Sequence, residues 1–345
     1  FDGHGWTSTV RDGFSTLFGI TVSDLGATAV GAVGIILEES GGGFRFREEG
    51  TTRNLWGLWG EDEASLLAVG LQGTILRRDA QGWVAMESGT STDLYDIWGA
   101  AAGDAFAVGN EGLILHFDGN RWSPMSSPTS LPLWGVWGSG VDDVFAVGNA
   151  GVIVHFDGTS WNVMPAETQD VLRGVWGTAP DNVYAAGDFG TVLHFDGVDW
   201  STAPNLNRAF FYQAVGGFSE NEIYLVGEDL GFGRSGAESQ ARFPDGRIEN
   251  RHGAGMMVFH DGKDLWEPVY RLLQQDLIGF GGTPDDAFAT GALGFMMRFD
   301  GTDWTQERFP TDNWLRSVWR GRDGTTYVVG DGGAILRFGR GRLAR

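Results

Sequence analysis

The stretch Leu172–Trp200, LRGVWGTAPDNVYAAGDFGTVLHFDGVDW, decides the fold because it is a complete copy of a unit that recurs along the chain. Its first apolar segment, LRGVWG, matches LWGLWG from Leu55, LYDIWG from Leu94 and LWGVWG from Leu133. These four copies follow one another at a fixed spacing of 39 residues. A period near 40 residues indicates a repeat architecture.

Each unit contains four short apolar runs separated by turn residues. The second run ends in Gly, as in AFAVG to Gly109 and VFAVG to Gly148, and the third reads LILHFDG or VIVHFDG. A fourth run begins at the Trp of a DGxxW turn. Short β-prone runs between Gly, Asn and Asp turns are typical of antiparallel strands. Four such strands in a repeat of this length predict one blade of a β-propeller.

Weaker copies raise the number of units to eight: LFGITV from Leu17, YQAVGG from Tyr212, LIGFGG from Leu277 and LRSVWR from Leu315. The sequence therefore predicts an all-β, eight-bladed β-propeller of four-stranded antiparallel blades, as a single domain over residues 1–345. Its blades are expected to begin near residues 17, 55, 94, 133, 172, 212, 277 and 315. Residues 1–9 are predicted to supply the fourth strand of the last blade and so close the ring, which would remove an exposed sheet edge.

The sixth predicted blade contains an insertion, because Tyr212 and Leu277 are 65 residues apart instead of 39. The extra residues lie near 228–255 and are rich in Gly, Arg and Glu. A loop of this length inside a compact domain is usually either functional or disordered. Both interpretations stay open for the insertion.

The charge of the chain excludes several classes of partner. Its formal net charge is −21, with 45 acidic residues against 24 Lys and Arg, and such a surface repels nucleic acid and anionic lipid. No apolar run approaches the roughly 18 residues of a membrane span, so neither nucleic-acid binding nor direct membrane insertion is expected. Residues 1–30 lack a signal-peptide pattern and the sequence begins at Phe1. We expect a periplasmic or extracellular protein whose leader or tether is absent from this sequence.

Three repeated histidines invite a metal interpretation, which the repeat argues against. His116, His155 and His194 occupy the same position in three successive units, so the ring should hold them much farther apart than ligands about 2 Å from one metal ion. The DGxxW turns are interpreted as folding devices. The acidic groups 61–63, 142–143 and 285–286 offer at most a weak Ca²⁺ hypothesis, because they lack the alternation of a calcium loop. No cofactor is predicted.

No catalytic motif stands out in the sequence. It contains no nucleophile elbow, phosphate loop or HExxH pattern. Carboxylates are numerous enough to form a pair for glycoside hydrolysis, but nothing in the sequence selects one. An enzyme is therefore not favoured, and the question stays open at this stage.

The unit VWGTAPDNVYAAGDFGTVLHFDGVDW resembles bacterial propeller repeats that read WG, xDVxAVG and GxIxHxDGxxW. It is also similar to the Asp-box repeats of sialidase-like propellers and to the propellers of photosystem II assembly factors. The resemblance covers essentially the whole chain and implies the propeller fold, which does not by itself give a function. The Ser and Thr of an Asp-box are missing, and the sialidase arginine triad, tyrosine nucleophile and acid have no match here. The units also resemble those of tectonin-type lectins, which bind sugars between or on top of blades.

In a propeller, the starts of the innermost strands and the loops that join second to third strands meet at one mouth of the central channel. The residues predicted to bind a ligand or partner on this face are Trp56, Tyr95, Trp134, Arg173, Arg316, Asn110, Asn149, Asp188, Asp331, Arg234, Arg247 and Arg251. Gln213 and Glu228 are expected on the same face. Aromatic side chains beside Arg, Asn and Asp suit a sugar or a protein hot spot. The alternative is that the aromatic side chains only pack between adjacent blades.

Three functions remain after this reading. The first is a non-enzymatic scaffold propeller, an exported bacterial accessory subunit that mediates protein–protein interaction. The second is a carbohydrate-binding, lectin-like propeller, and the third is a glycoside-cleaving enzyme. A lectin should show several equivalent pockets between blades, whereas an enzyme should show one pocket with two close carboxylates of perturbed pKa.

Overall fold

The computed structural model describes residues 17–23, 26–31, 35–39, 44–47, 51–79, 82–203, 210–229, 239–242, 248–251, 255–260, 266–273, 275–308, 313–321 and 324–338. Their regular structure consists of β-strands and short 3₁₀ turns. Neighbouring strands in each sheet pair antiparallel. The predicted all-β class and the four-stranded antiparallel blades are therefore confirmed.

The strands form eight sheets of the blade type and one separate hairpin. The first sheet contains β1 (Leu17–Ser23), β2 (Gly26–Gly31), β3 (Ile35–Glu39) and β4 (Phe44–Arg47). The next four sheets are numbered blades 1 to 4. Blade 1 contains β5 (Leu55–Trp59), β6 (Leu67–Gly70), β7 (Ile75–Asp79) and β8 (Gly82–Met86), and blade 2 contains β9 (Leu94–Ala101), β10 (Asp104–Gly109), β11 (Ile114–Phe117) and β12 (Trp122–Pro124). Blade 3 contains β13 (Leu133–Gly140), β14 (Asp143–Gly148), β15 (Ile153–Phe156) and β16 (Trp161–Met164), and blade 4 contains β17 (Leu172–Ala179), β18 (Asn182–Gly187), β19 (Val192–Phe195) and β20 (Trp200–Thr202).

Three further sheets complete the ring as blades 5 to 7. Blade 5 contains β21 (Phe210–Ser219), β22 (Glu222–Asp229), β25 (Gly255–His260) and β26 (Trp266–Leu273), and the hairpin of β23 (Ser239–Arg242) and β24 (Ile248–Arg251) lies between β22 and β25 in the chain. Blade 6 contains β27 (Leu277–Thr283), β28 (Asp286–Gly291), β29 (Phe295–Phe299) and β30 (Trp304–Arg308). Blade 7 contains the three strands β31 (Leu315–Arg320), β32 (Thr326–Gly330) and β33 (Ile335–Phe338). Residues 1–9, the predicted fourth strand of this blade, lie outside the described residues.

The predicted count of eight blades is wrong, because seven sheets close the ring. The innermost strands contact one another in the order β5, β9, β13, β17, β21, β27 and β31, and β31 then contacts β5. At this seam, Trp319 Nε1 donates a hydrogen bond to the Gly60 carbonyl oxygen at 2.6 Å, and the Trp83 and Tyr327 rings pack edge to face. Blade 7 therefore lies directly against blade 1, which leaves no place between them for the sheet β1–β4. The sequence repeat specifies which sheets form, whereas contacts between sheets decide which of them enter the ring.

The core lies between adjacent blades. The Phe106 ring of blade 2 packs against Phe156 and Trp161 of blade 3 at centroid distances of 5.6 and 6.0 Å. In the same way, Phe145 of blade 3 packs against Trp200 of blade 4 at 6.1 Å. Each aromatic side chain buried in this way contributes roughly 1.5–3 kcal/mol. The ring is thus held together by a repeated aromatic interface and not by strand pairing from blade to blade.

The Gly that ends the second strand of each unit is required by a close approach of two backbones. A Cβ atom at Gly148 would overlap the carbonyl oxygen of Pro132, the residue before the innermost strand of the same blade. The second strand must pass this carbonyl because the Asn149 N–H donates a hydrogen bond to the same oxygen at 3.0 Å. The recurring AVG ending of the sequence therefore marks a position where only glycine fits.

The DGxxW turns fold the outermost hairpin of each regular blade. In blade 2, Asp118 Oδ1 accepts hydrogen bonds from the backbone N–H groups of Asn120 and Arg121, both at 2.9 Å. These hydrogen bonds hold the pKa of the Asp118 carboxyl below its usual value. Trp122 then packs into the interface between blades, with 6% of its surface exposed. The interpretation of this motif as a folding device agrees with these contacts.

Within the described part of the chain, no helix has the length and apolar character needed to cross a membrane.

Candidate functional site at the channel mouth

A β-bulge near the start of every innermost strand places one unpaired residue at the end of the channel. In blade 3, for example, Leu133 pairs with Gly148 and Gly135 pairs with Val147, so that Trp134 has no partner in the ladder. The seven bulge residues, in ring order, are Trp56, Tyr95, Trp134, Arg173, Gln213, Ile278 and Arg316. We call the end of the ring that carries them the mouth face. The opposite end, which carries the turns between first and second strands, is the turn face.

Three aromatic bulge residues stack on one another across blades 1 to 3. The Tyr95 ring lies 4.7 Å from Trp56 and 4.2 Å from Trp134, with interplanar angles of 20° and 11°. None of the three belongs to the buried clusters between blades, and each remains half-buried. The three rings therefore pack on one another across adjacent blades but outside the buried clusters, and their role in binding stays a prediction.

An arginine lies at each end of this aromatic stack. The Arg316 guanidinium lies 5.2 Å from the centroid of Trp56, and the Arg173 guanidinium lies 5.7 Å from that of Trp134. Both distances are within the range of cation–π attraction. The faces of the aromatic rings at the mouth thus accept planar cations, and the chain itself supplies two of them.

Each arginine is also held by a carboxylate from the loop after the second strand of its own blade. Arg173 Nε and Nη2 donate to Asp188 Oδ1 and Oδ2 at 2.5 and 3.1 Å. Arg316 makes the same bidentate contact with Asp331, with Nη2 3.0 Å from Oδ2. Such fork-to-fork pairs fix the orientation of the guanidinium.

The same two positions are also paired in blade 3, by different chemistry. The Trp134 Nε1–H donates to Asn149 Oδ1 at 2.6 Å, and the two residues are 15 positions apart, as are both Arg–Asp pairs. The bulge residue and the first loop residue therefore form one structural pair in blades 3, 4 and 7. In blade 1, by contrast, the buried Trp56 Nε1 has no hydrogen-bond partner among the described residues.

Blade 5 holds a pair without an arginine. Gln213 and Glu228 occupy the equivalent positions, and the Gln213 amide donates a hydrogen bond to the Glu228 carboxylate. Burial, together with the negative charge of the nearby Asp276, raises the pKa of Glu228. Burial also raises the pKa of Asp276 itself, the residue just before the innermost strand of blade 6. In the described part of the chain, neither carboxylate forms an ion pair with a Lys or Arg.

Asp96 is a further carboxyl of the channel wall, one residue after the bulge of blade 2. Its Oδ1 accepts a hydrogen bond from the Ile97 N–H and its Oδ2 accepts one from the Val136 N–H of blade 3, both at 2.9 Å. The side chain borders the channel and is half-buried there, whereas the innermost strands surround it on its other sides. This burial raises the pKa of Asp96 to about 7, against the opposing effect of both hydrogen bonds.

Two large apolar side chains are displayed on the loops of the mouth face. Phe189 and Leu293 occupy the middle of the 3₁₀ turn after the second strand, with φ of 54° and 52° and exposures of 36% and 37%. Blade 3 has Ala150 and blade 7 has Gly332 at this position. The Phe189 ring also contacts Phe211 of blade 5 at 4.9 Å. A left-handed backbone is unfavourable for a large side chain. Neither a local backbone preference nor complete burial therefore stabilises Phe189 and Leu293 at these positions.

The predicted binding residues fall into three groups. Trp56, Tyr95, Trp134, Arg173, Arg316, Asn149, Asp188 and Asp331 form the connected array described above. Asn110 lies in the corresponding loop of blade 2, where its N–H donates to the Asp93 carbonyl oxygen at 2.9 Å. Arg234 and Arg247 lie outside the described residues, and Arg251 is placed in the backbone of the β23–β24 hairpin. Their role in binding stays a prediction.

The sequence reading missed Asp96, Asp276, Phe189 and Leu293. Aligning the units would have revealed Asp96, because four other blades have Gly57, Gly135, Gly174 and Gly279 at its position. The two loop residues carry no comparable signal, since the left-handed conformation that exposes them is visible only in the structure.

The three repeated histidines each form a hydrogen bond within their own blade. His155 Nε2 lies 2.6 Å from Asp143 Oδ1 and the ring stacks on Phe145 of the same blade. His116 and His194 make the equivalent contacts with Asp104 and Asn182 at 2.9 and 2.7 Å. Among the described residues, no group of three or more His, Asp or Glu side chains is arranged to hold a metal ion.

A shallow concave region lies away from the mouth, between blades 4 and 5 on the turn face. It encloses about 480 Å³ and its lining includes Asp181, Asn182, Tyr184 and His260. The lining is mostly polar side chains that already belong to the histidine and turn contacts of the two blades. This region therefore lacks the stacked aromatic rings flanked by arginines that the mouth face carries.

Comparison with solved structures supports the fold. YCF48 bound to D1 peptide has a TM-score of 0.61 and 16% sequence identity, over 86% of this chain and 96% of that one. YCF48 from Cyanidioschyzon merolae gives 0.61 and 15% over 84% and 96%, and the WD40 β-propeller domain of Doa1 gives 0.63 and 9% over 84% and 94%. No protein-family model and no curated protein matches the chain. The resemblance to photosystem II assembly-factor propellers is thus confirmed at the level of the fold.

Proposed function

We propose that this chain is a non-enzymatic binding propeller that holds a protein partner on its mouth face. The observation that carries the proposal is the half-buried array of Trp56, Tyr95 and Trp134 between Arg173 and Arg316. Trp, Tyr and Arg are the residues that dominate the binding energy of protein interfaces, especially where they form a packed central group. YCF48, which has this fold, has been solved with a bound peptide.

The exposed loop residues support a protein partner over a sugar. Phe189 and Leu293 place apolar surface at 36% and 37% exposure beside the polar array, and apolar surface of this kind is typical of protein contacts. A lectin of the repeated type needs equivalent pockets in several blades. The seven bulge positions instead hold five different residue types, so they do not form repeated sugar sites.

The test compares two variants in which exposed apolar side chains are reduced to Ala. The mouth variant is Phe189→Ala with Leu293→Ala, which gives two blades the residue that Ala150 already provides in blade 3. The matched control is Val141→Ala with Val198→Ala, which removes two exposed apolar side chains from turns on the opposite face. Both variants should keep the wild-type melting temperature within a few degrees.

Tagged wild type and both variants are exposed to extract of the source organism, and the retained proteins are quantified by mass spectrometry. We expect a stoichiometric partner on the wild type and the control, and at least a tenfold loss on the mouth variant. Retention of the same partner by the mouth variant, or the absence of any stoichiometric partner, would contradict the proposal. The extension of this proposal to an exported bacterial accessory subunit is tested by locating the protein in fractionated cells.

A further inference from the structure

The seven equivalent positions at the mouth show what is missing from blade 5. In blades 4 and 7 the bulge residue is an arginine and the loop residue 15 positions later is an aspartate, and the two form a bidentate pair. In blade 5 the residue 15 positions after the bulge is again acidic, although this residue, Glu228, still belongs to the second strand, and the bulge residue is Gln213. The acidic half of the pair is therefore present without its cation.

Among the described residues, no Lys or Arg forms an ion pair with Glu228. Arg173 exerts a favourable charge effect on Glu228, but its Nε and Nη2 groups are held by Asp188. Asp276 and Asp188 add negative charge on the same side of the mouth. Among the described residues of the mouth, the carboxylates of Asp188, Asp331, Glu228 and Asp276 are half-buried or buried, whereas the guanidinium groups that form ion pairs with this set are those of Arg173 and Arg316.

Other blades of the mouth face already hold planar cations. The chain's own guanidinium groups already lie over Trp134 and Trp56 within 6 Å, so the mouth accommodates cations between aromatic rings and carboxylates. Ile278 occupies the bulge of blade 6 and offers apolar surface for an aliphatic side-chain stem. The formal net charge of −21 would also attract a basic partner from a distance.

From this juxtaposition we infer that the partner bound on the mouth face inserts a basic side chain, arginine or lysine, between Glu228 and Asp276. The inserted side chain completes in blade 5 the carboxylate–cation pair that blades 4 and 7 complete with their own arginines. The inference rests on the proposed function, because it specifies the chemistry of the protein segment that docks there. An acidic or phosphorylated segment would meet unfavourable charge at this part of the mouth.

The binding test uses a blocked Gly-Arg-Gly tripeptide as the probe, and the same peptide with citrulline, which has nearly the same shape without the charge. Isothermal titration calorimetry at low ionic strength should show saturable binding of the arginine peptide by the intact chain. The citrulline peptide should bind at least tenfold more weakly. Equal binding of the two peptides, or no binding of either, would overturn the inference.

Two substitutions in the same pair sharpen this test. Glu228→Gln removes the carboxylate, and Gln213→Arg supplies the missing cation from the chain itself. Both substitutions should therefore weaken binding of the arginine peptide at least tenfold. Gln213→Arg should at the same time raise the melting temperature, which separates occupation of the site from damage to the fold. Glu111→Gln, an exposed acidic residue in the corresponding loop of blade 2, is the control and should bind as the wild type does.

Partner capture distinguishes failure of this inference from failure of the proposed function. If the partner is lost by the Phe189→Ala, Leu293→Ala variant but kept by both Glu228→Gln and Gln213→Arg, the mouth binds a protein without a basic side chain at this place. The inference would then be wrong while the proposed function stands. Loss of the partner in all three variants, with retention by Glu111→Gln, is the result expected.

Discussion

Asp96 shows at the residue scale how one departure from the repeat introduces a titratable group into the channel wall. Its carboxyl stands where four other blades have glycine, and it links blade 2 to the Val136 N–H of blade 3. Burial raises its pKa to about 7, whereas an aspartate in an unfolded chain has a pKa of about 3.9. The folded state therefore binds a proton more readily than the unfolded state between these two values.

The sign of the resulting pH dependence follows directly. The contribution of Asp96 to the free energy of unfolding is most favourable below about pH 4 and decreases as the pH rises toward 7. In Asp96→Gly this contribution disappears. We expect the stability of the wild type relative to the variant to fall by about 1–3 kcal/mol between pH 5 and pH 8. Urea unfolding at several pH values measures this difference, and parallel curves for the two proteins would contradict it.

Gly148 supports a second prediction at this scale. Gly148→Ala places a Cβ atom against the Pro132 carbonyl oxygen, and the two strands must separate to accept it. The expected loss of stability is about 1–3 kcal/mol. Gly103→Ala is the matched control, because its nearest neighbour would be the Gly119 Cα at an ordinary distance of 3.6 Å. Thermal unfolding should leave the control within about 0.5 kcal/mol of wild type, and equal effects of both changes would contradict the explanation.

At the scale of elements, the seam between blades 7 and 1 depends on specific polar contacts. The buried Tyr327 hydroxyl donates to Glu63 Oε1 at 2.7 Å and accepts a hydrogen bond from Arg78 Nε at 3.1 Å. Glu63 Oε1 also accepts a hydrogen bond from Arg337 Nε at 3.1 Å. Burial opposes ionisation of Glu63, yet the contacts with Arg337 and Tyr327 prevail and lower its pKa. The seam thus combines an aromatic interface with a charged network.

Tyr327→Phe tests this network without disturbing the packing, because Phe106 and Phe145 already occupy the equivalent position in blades 2 and 3. We expect a loss of roughly 1–2 kcal/mol, the value of a hydrogen bond to a charged group. A double-mutant cycle with Glu63→Gln measures the coupling by chemical denaturation. Additive effects of the two changes would show that the hydroxyl and the carboxylate act independently.

The elements also show where sequence reasoning succeeds. The innermost strands begin at Leu55, Leu94, Leu133 and Leu172 as predicted, because an apolar residue followed by a bulge recurs in every unit. The prediction that Trp56, Tyr95 and Trp134 share one face follows from the same repeat. Their mutual stacking does not, because it depends on the distance between blades, which is set by the number of blades in the ring.

For the whole molecule, the number of blades is the main difference between prediction and structure. The apolar pattern of the sequence predicts eight units, but that pattern describes the pairing of strands within one sheet. The contact of Trp319 with Gly60 joins residues more than 250 positions apart. It repeats the contact that the motif Trp makes with the motif Gly of the next blade, as Trp59 does with Gly99. The motif therefore specifies how one blade packs on the next, but it does not specify which two blades close the ring.

A truncation tests the seven-bladed ring directly. A chain that starts at Thr51 retains every contact between blades 7 and 1, so we expect one cooperative thermal transition within about 5 °C of the full chain. A matched truncation that ends before Leu315 removes blade 7 and should abolish this transition. Loss of cooperative unfolding in the first truncation would show that residues 1–50, which include β1–β4 and the predicted closing segment 1–9, are needed for the ring.

The bulge has a consequence for how such a ring can change its specificity. A residue excluded from the hydrogen-bond ladder is free of the alternation that fixes the side chains around it, so its identity does not affect register. Trp, Tyr, Arg, Gln and Ile already occupy this position in different blades of one chain. The mouth is consequently a combinatorial surface of seven sites at which the ladder does not restrict the residue type. A library randomised at these seven codons alone can yield binders for unrelated targets on an unchanged scaffold.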